Sequence, residues 1–267
     1  MHRILALANQ KGGVGKTTTA VSLGVFLASA GYRSLLVDID PQANATSSLG
    51  IDKRRVDRSV YDLLTGNRAI ADCLLRDVRP GLDLVPATSA LAGAEVELAS
   101  APRREFRLQQ ALQPIVDDYA LVLIDCPPSL GLLTVNALTA AREVIIPIQC
   151  EYLALEGLVQ LVNTIDLIKR RLNPPLDVIG VVMTMFDART RLATQVVDEV
   201  RRFFPRRLFR TIVPRTVRLA EAPSFGKAIF EYDPSSRAAR AYAQLGMEVI
   251  ERLQLASLIG SHAAGRT

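Results

Sequence analysis

The stretch Asn9-Gln10-Lys11-Gly12-Gly13-Val14-Gly15-Lys16-Thr17-Thr18 most restricts what this chain can fold into. It follows a short apolar run, Ile4–Ala8, and opens a helix-like segment, Thr19–Leu27. Strand, glycine-rich loop, Lys-Thr and helix are the layout of a phosphate-binding loop. Glycines let backbone N–H groups close around phosphate oxygens with no Cβ in the way. The helix N-terminus adds the positive end of its dipole. On this reading Gly12, Gly13, Val14, Gly15 and Thr18 cradle the phosphates. Lys16 reaches the β- and γ-phosphates, and the Thr17 hydroxyl ligates Mg²⁺.

The match carries one departure. The general pattern wants glycine at the first loop position, where this chain has Gln10. A second lysine, Lys11, stands early in the loop. It is poorly placed to serve its own fold, yet long enough to extend to phosphates held by another subunit. The plain alternative is a glycine turn between strand and helix. That reading leaves unexplained why glycines, lysine and threonine coincide there.

With 267 residues, 49% of them hydrophobic, the chain can build a sizeable core without staples. No apolar run reaches the roughly 18 residues needed to span a bilayer. The N-terminal apolar run is too short for a signal peptide, so a cytoplasmic location is expected. Cys73, Cys126 and Cys150 show no paired metal spacing and read as buried, reduced thiols. The net charge is +5, unevenly placed. Residues 201–240 hold ten basic and three acidic side chains, +7, which leaves −2 for the rest. Such a region suits a polyanion such as nucleic acid, or is simply an arginine-rich solvated face.

Apolar runs alternate with helical stretches. Strands are expected at 4–8, 34–38, 82–86, 121–125, 144–148, 178–185 and 208–213. Helices are expected at 16–30, 59–65, 88–98, 103–113, 131–141, 154–172, 192–203 and 235–254. The strand runs are nearly continuous, as for strands buried on both faces. The fold class is therefore α/β: a single domain over 1–254, with a mostly parallel central sheet and helices on both faces. Residues 41–58 and 66–81 read as polar connections, and 255–267 as a disordered tail.

Two strands end in aspartates: Val37-Asp38-Ile39-Asp40 and Ile124-Asp125. In parallel sheets ligands sit beyond the carboxyl ends of strands, so all three land at the level of the phosphate loop. Asp125 takes the position of a Walker B aspartate that orients Mg²⁺. Asp38 would support the Mg²⁺ shell, and Asp40, one step further out, would orient an attacking water. Taken alone, each is better explained as a turn cap; the phosphate loop upstream shifts the reading.

Together these segments resemble the deviant Walker A ATPases with a P-loop NTPase fold, and among them the ParA/Soj partition ATPases. The resemblance rests on Lys11-Gly12-Gly13-Val14-Gly15-Lys16-Thr17, Val37-Asp38-Ile39-Asp40-Pro41-Gln42 and Ile124-Asp125-Cys126-Pro127-Pro128. It extends through Gln42–Thr46, Glu151–Gly157, Thr184–Arg189 and Pro214–Ser224, covering residues 1 to about 253.

The resemblance implies an ATPase that binds ATP and Mg²⁺ and forms a sandwich homodimer around two nucleotides. Lys11 is similar to the signature lysine that contacts phosphate across that dimer, and with Lys16 and Asp40 it makes up the catalytic set. Glu151 would face the neighbouring nucleotide. Pro214 would pack on adenine, with Met183 in the same pocket. ATP-bound dimers would bind double-stranded DNA without sequence preference. A ParB/Spo-type partner's N-terminal peptide would stimulate hydrolysis and release them, which implies a nucleoid-associated protein. Arg189 and Arg218 match the family's DNA contacts; Arg191, Arg206 and Arg207 are weaker additions. Thr216 and Ala220 depart from the asparagine and serine common at those positions.

Three relatives of the same fold compete with that role. A membrane-cycling ATPase of MinD type would need a basic amphipathic C-terminal helix, which Leu253–Gly260 does not supply. An iron-protein-like reductase would need cluster-ligating cysteines in glycine-rich loops. An ATP-dependent positioning scaffold for another cargo would carry similar motifs.

Overall fold

The computed structural model describes residues 3–151 and 154–256. The phosphate loop joins β1 (Ile4–Leu7) to α1 (Lys16–Ser29), and β2 (Ser34–Asp38) follows. Gly31 takes a φ of 87° after α1, the left-handed turn that ends helices without a Cβ penalty. Next come α2 (Asn44–Ser48), α3 (Val60–Thr65), α4 (Ile70–Cys73), β3 (Leu75–Arg79) and β4 (Leu82–Val85). The middle of the chain forms α5 (Leu91–Glu97), α6 (Arg107–Leu112), β5 (Leu121–Asp125), α7 (Leu132–Ala140) and β6 (Glu143–Gln149). Then follow α8 (Ala154–Arg171), β7 (Asp177–Phe186), α9 (Arg191–Phe203) and β8 (Leu208–Pro214). The last described elements are α10 (Val217–Glu221), α11 (Ile229–Tyr232) and α12 (Arg237–Leu253).

The strands form one sheet in the order β3-β4-β2-β5-β1-β6-β7-β8. Every neighbouring pair is parallel except β3 with β4. The α/β expectation therefore holds. Period-2 alternation splits the core in two. Ile4, Ala6 and Ala8 point to the face covered by α3 and α5–α9, while Leu5 and Leu7 point to the face covered by α1 and α12. Leu5, Leu7, Leu35 and Leu36 have no exposed surface. Burying each such side chain contributes roughly 1.5–3 kcal/mol.

The connections expected at 41–58 and 66–81 contain more structure than that. Helices α2 and α4 and strand β3 fall within them. β3 reads Leu-Arg-Asp-Val-Arg and is only half-buried, as an antiparallel edge strand, so it lacks the apolar run of a central strand. The last helix starts at Arg237, capped by the Ser236 hydroxyl, which accepts from Ala239 N–H at 3.1 Å. Leu255 is fully buried, so packing continues past residue 254. The rest of the expected tail, 257–267, lies outside the described residues, as do Tyr152 and Leu153.

Candidate functional site

β1 is central, between β5 and β6, and the phosphate loop leaves its carboxyl end. Gly13 and Gly15 take φ of 73° and 87°, a region that side chains disfavour. Gly15 is the residue before α1, which leaves the first-turn N–H groups facing the loop. Two outside contacts hold the loop. The Thr184 hydroxyl donates to Val14 O at 2.8 Å, and the Asn9 amide donates to Pro147 O at 2.7 Å.

The two loop lysines have different surroundings. Lys16 is buried and curls back over the loop, donating to Lys11 O at 3.1 Å. Burial pulls its pKa below the usual value, against the opposing pull of Asp125, Cys126 and Asp40. Lys11 is half-exposed at the rim and pairs with the Glu151 carboxylate.

The acidic residues converge as the sequence implies. Asp38 and Asp125 are register partners on β2 and β5. The Thr17 hydroxyl donates to Asp125 Oδ2 at 2.7 Å. Asp125 Oδ1 is buried with no hydrogen-bond partner among the described residues. Burial, then the nearby Asp38 charge, raises the Asp125 pKa well above the carboxylate range. Asp38 Oδ2 accepts from Thr46 N–H at 2.8 Å and from its hydroxyl at 2.7 Å, and Oδ1 accepts from Asp40 N–H at 3.2 Å. Burial nevertheless pushes Asp38 up to about 6. Asp40 is also buried, its Oδ1 accepting from Gln42 N–H at 2.8 Å. A threonine hydroxyl beside a buried carboxylate with an unpartnered oxygen is a donor set that suits Mg²⁺. Asp38, with both oxygens engaged, stands behind that set as a support.

A cavity of about 280 Å³ opens beside the loop. Gly15, Thr18, Thr184, Met185, Pro214, Thr216 and Tyr242 are among its lining residues. Pro214, expected beside a base, lines this cavity. Met183, in β7, is not among the lining residues: it is fully buried in the core. Met185 takes its place, with a φ of 52° that turns the backbone at the end of the strand. Tyr242 enters from α12, about 220 residues along the chain, and its hydroxyl meets that of Thr19 at 3.2 Å. Nothing local to the motif points to it.

The basic residues separate into two groups. Arg189 lies just past β7 and Arg218 in α10 just past β8, two adjacent parallel strands, so both lie at the carboxyl edge that carries the site. Arg191 begins α9 on the same side. Arg206 and Arg207 precede β8 and so lie at the opposite edge, apart from the other three. Both leading arginines hold carboxylates. Arg189, 89% exposed, grips Asp187 at 2.7 and 2.9 Å, and its side-chain hydrogen bonds, then that from its backbone N–H, hold Asp187 down at about 2. Arg218 pairs with Glu221 at 3.1 Å and Asp233 at 3.4 Å. Solvent screens exposed pairs of this kind, so they contribute little to stability.

Cys73, Cys126 and Cys150 are buried free thiols, their pKa values raised by burial. Among the described residues no group of cysteine, histidine and carboxylate side chains is placed to hold a metal cluster. No described helix is long and apolar enough to cross a membrane. The apolar face of α12 is spent in the core, with Tyr242, Leu245, Val249 and Leu253 buried.

Comparison with known proteins finds likenesses in both sequence and fold. A family model described as an AAA domain matches residues 2–178. The sporulation initiation inhibitor protein Soj of Bacillus subtilis is 54% identical over 249 residues, 93% of this chain and 98% of that protein. The chromosome partitioning protein ParA of Myxococcus xanthus is 54% identical over 250 residues, 94% of this chain and 88% of that protein. A crystal structure named as cobyrinic acid a,c-diamide synthase from Mycobacterium smegmatis, with bound ATP analog and magnesium, superposes with a TM-score of 0.85. It shares 39% identity and covers 95% of this chain and 96% of its own.

Proposed function

The chain belongs to the ParA/Soj-type chromosome-partitioning ATPases, and from that premise we propose that its ATP cycle switches a homodimer on and off DNA. Its cofactors are ATP and Mg²⁺. The reading follows the two relatives at 54% identity, both named for chromosomal or developmental roles, ahead of the structure at 39%.

The residues divide the work. The loop N–H groups and Lys16 hold the phosphates, and Thr17 and Asp125 hold the metal. The metal held there would supply positive charge against the negative charge that builds up on the phosphates. Asp40, its Oδ1 fixed by Gln42 N–H, has Oδ2 left to accept a proton from the attacking water. Thr18, Pro214 and Met185 flank the base.

One observation carries the dimer. Lys16 alone curls over the loop, whereas Lys11 stands at the rim with its ammonium on Glu151. A half-exposed cation beside a phosphate site is placed to reach the phosphates of a second copy, with Glu151 as its resting partner. Dimerisation then doubles the surface of Arg189, Arg191 and Arg218 presented to DNA. Each phosphate contact releases counterions, so binding weakens steeply with salt. A ParB-type N-terminal peptide fits the role of hydrolysis trigger, and DNA association places the protein on the nucleoid in the cytoplasm.

The test measures molar mass by light scattering and duplex-DNA affinity with ADP, with a non-hydrolysable ATP analogue plus Mg²⁺, and with no nucleotide. A dimer and tight DNA binding only with the triphosphate are expected. A monomer under saturating analogue would overturn the reading.

A further inference from the structure

Arg79 ends the edge strand β3, yet its guanidinium is turned onto three backbone carbonyls. Nη1 donates to the adjacent Val78 O at 2.6 Å and to Leu49 O at 3.3 Å, and Nη2 donates to Gly226 O at 2.7 Å. Nε pairs with Glu231 of α11 at 2.5 Å. Leu49 and Gly50 directly follow α2, the helix whose Thr46 holds Asp38. Gly226 follows the 3-10 turn Ala222–Phe225, which continues from α10 and its Arg218.

The two glycines meet backbone to backbone. A Cβ on Gly226 would lie 2.6 Å from Gly50 Cα, and both residues have positive φ, 63° and 81°. No side chain separates them, so no rotamer change absorbs a displacement; moving one backbone moves the other. The segment bearing Arg218 thus touches the loop-side cavity at its start, through Thr216 and Leu219, and at its end meets Gly50, just past the helix α2 whose Thr46 holds Asp38. Asp233, which holds Arg218 at 3.4 Å, lies two residues past Glu231, the carboxylate that Arg79 grips.

We infer that Arg79, Gly50 and Gly226 form a clasp that transmits the state of the Asp38–Asp40 loop to the segment carrying Arg218. A shift of α2 on triphosphate binding pulls α10 and α11 together through the clasp, and moves Asp233 relative to Arg218. Arg79 touches neither nucleotide nor DNA in this scheme; it is a positioning residue. The inference rests on the proposed DNA role of Arg218.

The experiment compares wild type with Arg79→Ala and Arg79→Lys in the full chain. Three quantities are read: affinity for a fluorescent ATP analogue, the ratio of duplex-DNA affinity with ATP to that with ADP, and amide hydrogen exchange over 217–226 in both nucleotide states. Arg79→Ala is expected to keep ATP affinity within about twofold, while the DNA-affinity ratio falls roughly 5-fold or more. The exchange difference between ATP and ADP over 217–226 disappears, and Arg79→Lys restores part of it. An undiminished ratio together with an unchanged exchange difference would overturn the clasp, as would a wild type with no exchange difference there. Should Arg79→Ala not fold, Glu231→Gln takes its place, because it leaves the carbonyl contacts of Arg79 and its one remaining acceptor oxygen can keep the bond from Ala228 N–H while the ion pair is lost. A partial loss is then expected, and a full wild-type ratio counts against the clasp. A wild type whose DNA binding ignores nucleotide removes the DNA reading; the exchange measurement still decides the clasp on its own.

Discussion

Asp125→Asn tests the charge balance of the site most directly. In the free protein, Asp125 and its register partner Asp38 are two carboxylates buried side by side, and Asp125 Oδ1 has no hydrogen-bond partner among the described residues. Leaving a buried polar group unsatisfied costs about 1–3 kcal/mol. Asparagine can keep the hydrogen bond from Thr17 through its carbonyl oxygen, while its amide replaces the unpartnered charge. Without nucleotide or Mg²⁺ at pH 7.5, the variant is therefore expected to be more stable than wild type by about 1–3 kcal/mol. For a chain of this size that is roughly 2–10 °C in melting temperature. With Mg²⁺ and ATP the order reverses. Wild type gains about 2.7 kcal/mol at a ligand concentration 100 times its Kd, and the variant, with a poor metal site, gains little.

The pH dependence follows from the same pair. The folded-state pKa of Asp38, about 6, lies above its ordinary 3.8, so the folded protein binds that proton more tightly than the unfolded chain does. The stability this supplies is complete below pH ~4 and is lost as pH rises through about 6. Asp125, raised by burial and then by the Asp38 charge, has the same sign of pH dependence and is absent from the variant, so wild type alone regains that share of stability on acidification and the advantage of the variant shrinks. Thermal scanning fluorimetry at both pH values, with and without Mg²⁺ and ATP, reads all four cases. A ligand-free wild type that melts above Asp125→Asn at pH 7.5 refutes the reasoning.

Other substitutions probe the remaining roles. Lys16→Ala removes a buried charge-assisted phosphate contact and is expected to weaken ATP binding roughly 10–150-fold or more, by titration with a fluorescent analogue; unchanged affinity would remove Lys16 from the site. Asp40→Ala should still bind ATP while phosphate release falls roughly 10²–10⁴-fold, and undiminished turnover would take Asp40 out of catalysis. Met183→Ala should cost about 2–5 kcal/mol in denaturant unfolding with little effect on nucleotide affinity, and Met185→Ala the reverse; the opposite pattern would return Met183 to the base pocket. Arg189→Glu should lower DNA affinity and flatten its log–log dependence on salt by about one or more, with ATP-driven self-association intact; an unaltered slope would misplace the basic surface.

Much of the site was legible because it is built from short segments with strong local rules. Glycines before Lys16-Thr17 and aspartates closing apolar strands are visible without a structure, and parallel pairing brings them to one edge. Strands β2 and β5 fall at the residues expected, 34–38 and 121–125. Strand β3 was missed because an edge strand needs no apolar run. Alternation gives Met183 and Met185 the same face, and the positive φ at Met185, which the sequence does not announce, distinguishes them. The charge count over 201–240 suggested one basic surface. Strand direction splits it, sending Arg206 and Arg207 to the edge away from Arg189 and Arg218.

Composition and motif order alone determined the α/β class, the phosphate loop, the three acidic side chains and the family. These depend on turn chemistry and periodicity within some ten residues of chain. Tertiary structure alone decided that Asp125 keeps an unpartnered oxygen while Asp38 does not, that Tyr242 closes the base cavity, and that Gly50 touches Gly226. Each of these depends on groups far apart in sequence meeting at distances of a few ångström, which local periodicity does not encode and only the packed core sets.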